Sequence, residues 1–401
     1  MKAKYLSYLY IALSFAFAGC KSDHGGDEPE PQLTGLRTVL VYQVANNNLG
    51  AAGYDRLDIA EMRKGAEAGD IPEGSNLLVY NAGYKRDPVL LNITPEGIDT
   101  LKVYTTNVYS IESKRMLEVF DDAQNLVPAT KEFGLVLWSH GTGWLQDGIA
   151  DEMDNAHPLS FGAESGRKMN ISTLANVLEK GPELSFLYFD CCYMASVETL
   201  YQLRNVAPEI AGSCTELLVY GMPYDRNIQY FFADKPNLTE AAKSTFDLYD
   251  SQSGMDRTCT MSVVRTKNLD KLAKATEAIF SRADGTLPES FTPQRFMDQH
   301  VSNCSYFDFA QYVEALCVSD DGSERFTGAS ALLDDFRKAL DETVIYKAST
   351  PRLWDAVELK YHSGLSTYIL RDKSYISNNN YNTLDWYNDI ASKLTFKTAS
   401  K

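Results

Sequence analysis

Four short runs constrain the fold more than anything else in this chain: "RTVLVYQVA" from Arg37, "NLLVYNAG" from Asn76, "FGLVLWSHG" from Phe133 and "LSFLYFDCC" from Leu184. Each is almost wholly apolar, β-branched or aromatic, the pattern of a strand buried on both faces. Helix-patterned stretches lie between them, at Tyr54 to Ala66, Ser113 to Leu126 and Ser172 to Glu179. Strands that alternate with helices predict an α/β fold, a mainly parallel sheet covered on both sides. A further strand is expected within Ala207 to Cys214. Long helical patterns then follow at Leu269 to Arg282 and Ser330 to Thr343, with a strand at Gly364 to Leu370 and a last helix near Leu384 to Leu394. The 401 residues exceed one ordinary α/β domain, so a large domain with a substantial appendage is expected.

The net charge of −16 comes from acids scattered along the chain, which argues against a nucleic-acid partner. At the N-terminus, Lys2 and Lys4 precede the apolar run Tyr5 to Ala18, and "FAGC" ends at Cys20. The run is shorter than the roughly 20 residues of a membrane span. It resembles a bacterial lipoprotein signal, residues 1–19, with lipid attachment at Cys20 in the cell envelope; the other reading is a plain secretory signal in which Cys20 is incidental. Residues 20–34 read as a flexible tether. The seven cysteines, Cys20, Cys191, Cys192, Cys214, Cys259, Cys304 and Cys317, follow no disulfide or zinc spacing. No metal site is expected.

Two of the predicted strands end in chemistry. One delivers His140 and Gly141, the other Asp190, Cys191 and Cys192. In open parallel sheets the site lies at the carboxyl ends of the strands, so residues 52 apart in sequence can meet there. A thiol beside an imidazole is the arrangement of a nucleophile and its acid/base partner. A helix beginning just past Cys192 would push the thiol towards thiolate. Backbone N–H groups of Gly141 and Cys192 are candidate oxyanion donors, and Gly141 lets a substrate carbonyl come close because it has no Cβ.

"LVLWSHGTGW" followed by "LYFDCCYMASVETLYQLRN" resembles the clostripain-type cysteine peptidases, of the clan that includes caspases, legumains and gingipains. "TVLVYQVANNNL", "MNISTLANVLEK", "GSCTELLVYGMPY" and "SGLSTYI" are similar to that family's segments in the same order. The resemblance implies a caspase-like α/β/α sandwich over residues 35–235, with an α+β region packed on it over 236–401. It implies Cys192 as nucleophile, His140 as general acid/base, and Asp190 as the carboxylate that selects Arg or Lys before the scissile bond. A buried carboxylate binds guanidinium through paired, charge-assisted hydrogen bonds and rejects apolar side chains. A helix cap or loop-ordering role for Asp190 is the competing reading, and a slip of one position between Cys191 and Cys192 stays open.

The segment after the cysteines departs from the family pattern, with Leu218, Val219 and Met222 interspersed. Ser213 and Glu216 remain candidate substrate contacts, although a solvated glutamate explains Glu216 equally well. Some relatives cut themselves between the histidine and the cysteine, and the basic pair in that interval, Arg167-Lys168, is expected in an exposed loop where self-cleavage would open the pocket. Asp147, Asp151, Glu152 and Asp154 could hold calcium, but lack the D-x-[DN]-x-[DN]-G pattern, which favours a solvated acidic loop. No cofactor is required by this reading. The expected partners are protein or peptide substrates with Arg or Lys before the scissile bond, and the chain is expected to be a monomer that touches the membrane only through its lipid. A surface lipoprotein that binds peptide or glycan on an inactive peptidase fold is the second class of function.

Overall fold

The computed structural model describes residues 36–128, 130–145, 161–296, 306–370 and 381–396. Nine strands form the central sheet: β1 Arg37–Ala45, β2 Asn76–Gly83, β3 Val89–Ile93, β4 Ile98–Val103, β5 Glu132–Trp138, β8 Leu184–Asp190, β9 Glu209–Gly212, β10 Thr260–Arg265 and β12 Val344–Ser349. Their order is β12-β10-β9-β8-β5-β1-β2-β3-β4. The five inner strands β9, β8, β5, β1 and β2 are parallel, while β3 and β4 at one edge and β10 and β12 at the other run antiparallel. Residues after 235 therefore add two strands to the same sheet. Shorter strands pair off beside it: β6 Phe161–Glu164 with β7 Arg167–Met169, β11 Phe307–Asp308 with β15 Ser366–Thr367, and β13 Arg352–Leu353 with β14 Val357–Glu358.

Alternation along the buried strands divides the core in two. Leu40, Tyr42 and Val44 of β1 face one apolar cluster, and Val39, Val41 and Ala45 face the other. The first cluster is closed by α3 Ser113–Leu126, α4 Ile171–Leu178, α5 Val197–Gln202, α8 Leu269–Phe280, α9 Phe309–Cys317 and α10 Ala329–Thr343. The second is closed by α2 Tyr54–Glu67, α6 Tyr224–Phe231 and α7 Leu238–Asp250. The result is an α/β/α sandwich with a mainly parallel sheet. Both-sided burial is the reason the strands read as continuous apolar runs.

The helices expected over 54–66, 113–126, 172–179, 269–282 and 330–343 form within about two residues of those bounds. Near the C-terminus the pattern resolves differently. The strand expected over 364–370 shrinks to Ser366–Thr367, which pairs with the two-residue β11 and makes a single bridge to Ser196. The expected last helix is the short α11 Asp385–Asp389, followed by a 3₁₀ turn at Ala391–Lys393. Here the apolar residues face the α5 and α9 side chains, with Trp386 against Tyr201 and Phe309. Among the described residues, no helix is long and apolar enough to cross a membrane.

Candidate active site

Strand register brings the predicted residues to one edge. Trp138 of β5 pairs with Asp190 of β8, so His140 and Cys192 each lie two residues beyond an aligned strand end. The two loops then pack directly together. A Cβ built on Gly141 would lie 2.8 Å from the Cys192 carbonyl oxygen and 2.9 Å from Cys191 Cβ, so only glycine permits this approach. Ser139 Oγ donates to Val44 O at 2.8 Å and ties the end of β5 to that of β1.

The vicinal cysteines point opposite ways. Cys191 is buried, and its Sγ donates to Leu137 O at 3.1 Å. Cys192 turns towards the 213–222 segment, with its Sγ 3.7 Å from Leu217 O. The chain between Cys192 and α5 is not helical: α5 begins at Val197, capped by Ser196 Oγ, which accepts Thr199 N at 3.2 Å. This corrects the expectation of a helix N-terminus at the thiol. Desolvation, with the Glu216 charge second, pushes the Cys192 thiol up to about 12 rather than down. Residue 193 shows why no helix starts there: Tyr193 adopts φ 60°, a left-handed turn in a non-glycine residue. It is held by Tyr193 N donating to Thr215 O at 3.0 Å, by its hydroxyl donating to Glu216 Oε1 at 3.1 Å, and by stacking on Tyr306 at 4.7 Å. Tyr306 in turn donates to Thr142 O, so the C-terminal region props both loops.

Asp190 is 5% exposed. Its Oδ1 accepts Met222 N at 3.1 Å, and among the described residues its Oδ2 has no partner in normal hydrogen-bonding geometry, with the equally unpartnered Tyr224 hydroxyl nearby. No Lys or Arg pairs with it among the described residues. Burial raises its pKa to about 7, against the lowering effects of Met222 N and the nearby Tyr224 hydroxyl. Gly221, at φ 60°, lies so close that a Cβ there would sit 2.7 Å from Oδ2. Asp190 is thus wrapped by a turn it orders and still keeps an oxygen unpartnered. Ser213, expected as a substrate contact, faces inward: it is fully buried, and its Oγ is shared with Thr215 Oγ1 and Thr260 Oγ1 at 3.2 and 2.9 Å. Its hydroxyl serves the β9–β10 junction in this conformation. Glu216 is half-buried beside Tyr193.

Arg167 and Lys168 do not occupy an irregular loop. They start β7, paired to β6 across a turn in which Ser165 and Gly166 have φ 53° and 74°, and Arg167 stacks on Tyr109 at 4.7 Å. Cys20 and the acids Asp147, Asp151, Glu152 and Asp154 lie outside the described residues. The described cysteines 191, 192, 214, 259 and 317 are all free thiols.

One site residue escaped the sequence reading. His140 Nε2 and Asn48 Oδ1 form a hydrogen bond at 2.6 Å, which orients the imidazole ring. Asn47 holds this arrangement in place. Its Oδ1 caps the short helix α1 Asn48–Ala52 through Leu49 N, and its Nδ2 donates to Val44 O and Ala163 O at 2.9 and 3.0 Å. The available signal was three consecutive asparagines leaving the strand next to β5.

A fold of this kind with a thiol and an imidazole at adjacent parallel strand ends defines a cysteine peptidase. The clostripain family profile matches residues 41–401, and the chain belongs to that family. Among solved structures it is 28% identical to an inactive zymogen C11 protease from Parabacteroides distasonis, covering 89% of this chain and 98% of that one at TM-score 0.75. It is 26% identical to a secreted C11 cysteine protease from Bacteroides thetaiotaomicron in complex with an irreversible peptide inhibitor, covering 88% and 99% at TM-score 0.71. Another structure of a secreted C11 cysteine protease from that organism, "iotapain", shares the fold at 24% identity, covering 89% and 99% at TM-score 0.74. No curated protein matches the sequence.

Proposed function

We propose that this peptidase is an endopeptidase that cleaves after Arg or Lys, with Cys192 as nucleophile and His140 as acid/base. The observation that carries the specificity is Asp190, a buried carboxylate that, among the described residues, keeps an oxygen without a partner and pairs with no cation, two residues before the thiol. A basic side chain would supply that missing charge. Cys192 gives its proton to His140 and its sulfur attacks the scissile carbonyl carbon. The C–N bond then breaks as His140 returns the proton to the leaving amine, and water hydrolyses the thioester. Gly141 and Cys192 N–H groups are assigned to the oxyanion. No step calls on a metal or cofactor.

The conformation described here fits a latent enzyme. Leu217 O lies against the thiol, the thiol's pKa is high, and the same 217–222 segment encloses Asp190. Moving that segment would release both groups together. Cleavage after Arg167 or Lys168 is the proposed trigger, although β7 must first open to enter an active site. Export, with anchoring through Cys20, completes the proposal. The test is turnover of reporter peptides ending in Arg, Lys, Asn or Asp by residues 21–401 and its Cys192→Ala variant, before and after deliberate nicking near Arg167. Turnover of Arg or Lys peptides that is lost in the variant supports the reading. Turnover of Asn or Asp peptides overturns the role of Asp190, and no turnover in either state favours a peptide-binding lipoprotein.

A further inference from the structure

Helix α2 lays a stripe of three side chains along the turn that wraps Asp190. At one end, Tyr54 meets the Tyr220 ring edge-on, with centroids 6.1 Å apart. At the other, Glu61 Oε2 accepts Tyr224 N at 3.1 Å. Asp58, four residues after Tyr54 and three before Glu61, lies on the same helix face between these contacts. It therefore faces residues 221–223, the stretch whose Met222 N binds Asp190. Asp58 is only 3% exposed, and its Oδ2, like Asp190 Oδ2, has no hydrogen-bond partner among the described residues. Trp138, the residue opposite Asp190 in the β5–β8 register, also neighbours Asp58.

The Tyr224 hydroxyl, also without a partner, neighbours Asp190 and can donate to it, and the orphan oxygen left on Asp58 is explained if that carboxyl carries a proton and donates it to Asp190 alongside Tyr224. We propose that Asp58 is a positioning residue of the specificity pocket: it stays neutral, donates a hydrogen bond to Asp190 Oδ2, and keeps that carboxylate ionised and aimed at the incoming basic side chain. This rests on the reading of Asp190 given above. The surrounding charges agree with the assignment. Burial raises Asp58 well above the usual carboxylate range, with Asp190, Glu61 and Asp55 adding to the effect and the Trp138 indole opposing it. Asp190 is faced by Tyr224 and Glu61, and Glu61 by Asp225, Lys64 and Arg226. Asp190 thus ionises first, and its charge keeps the proton on Asp58.

The test compares wild type, Asp58→Asn and Asp58→Ala in the active form, measuring KM and kcat from about pH 5.5 to 8.5. The probes are peptides ending in Arg and the same peptides ending in uncharged citrulline. Asn retains a donor, so Asp58→Asn should keep the Arg-peptide KM within about threefold. Asp58→Ala loses the donor: KM at pH 7 should rise about tenfold, and the pH below which KM climbs should move up by about one unit. Neither kcat nor citrulline-peptide kinetics should change. If Asp58→Asn loses as much as Asp58→Ala, the negative charge of Asp58 matters and the proposal falls. It also falls if both variants behave as wild type while Arg is still preferred over citrulline. If wild type itself shows no such preference, the Asp190 reading fails and takes this one with it. Should Asp58→Ala not fold, the pH profile of Asp58→Asn decides alone, since an anionic role requires its KM to rise at every pH.

Discussion

Replacing Asp190 by Asn should make the protein more stable and the enzyme worse. The carboxyl of Asp190 is moved from its ordinary 3.8 to about 7, chiefly by desolvation. Its pKa is raised in the folded state, so folding keeps the full contribution of this group below about pH 4. That contribution is lost as pH rises towards 7, where the unfolded chain ionises and the folded one resists. At about 1.4 kcal/mol per pH unit, the burden at pH 8 is on the order of 4 kcal/mol. The substituted amide would still accept Met222 N through its Oδ1, its Nδ2 would donate to Asp58 in place of accepting from it, and it carries no charge to desolvate. For a unit of about 370 residues with an unfolding entropy of about 2.1 cal/mol/K per residue, the gain corresponds to roughly 5 °C in Tm. The measurement is thermal unfolding of Asp190→Asn against the unsubstituted protein, both on a Cys192→Ala background so that self-cleavage cannot interfere, between about pH 4 and 8. The two curves should coincide near pH 4 and separate as pH rises. In the Cys192 enzyme the same change should lower kcat/KM for Arg peptides by about a hundredfold or more. A variant that is less stable at pH 8, or whose stability difference ignores pH, would refute the claim that a strained buried charge is kept here for binding.

Two further outcomes follow from the geometry of the catalytic loops. Gly141→Ala drives a Cβ within 3 Å of the Cys191–Cys192 backbone and side chain, so it should lower kcat at least tenfold, with a loss of about 1–3 kcal/mol in stability read by denaturant unfolding. Asn48→Ala removes the hydrogen-bond partner that orients His140, and kcat should drop roughly ten- to a hundredfold with KM little changed; steady-state kinetics on an Arg peptide separate the two.

Much of the site was readable in the sequence because strand ends are sharp signals. An apolar run that stops at Ser139-His140 and another that stops at Asp190-Cys191-Cys192 have the pattern of buried parallel strands, and such strands share one functional edge. The continuous apolar runs also carry the sandwich, since a strand without a polar face needs cover on both sides, and the structure divides the β1 side chains between two separate cores. The turn at Tyr193 was not legible. "CYMASVETLYQL" has helix-compatible composition, and only the hydrogen bonds to Thr215 and the stacking on Tyr306 select a left-handed residue there. Arg167-Lys168 misled for a related reason: polar residues suggested a loop, whereas Ser165-Gly166 close a two-strand hairpin.

What the sequence determined by itself is therefore the set of chemical groups and the edge of the sheet that carries them, because local hydrophobic patterning fixes strands and their ends. What only tertiary structure decided is the state of those groups. The thiol's pKa is pushed up because the 213–222 segment packs against it and Glu216 stands nearby. Asn48 becomes the partner of His140 because β1 lies beside β5. Asp58 comes to stand beside Asp190 because α2 runs along the turn from Tyr220 to Tyr224. Each of these depends on contacts between segments tens to more than a hundred residues apart, which set burial and electrostatics but leave no periodic trace in the chain.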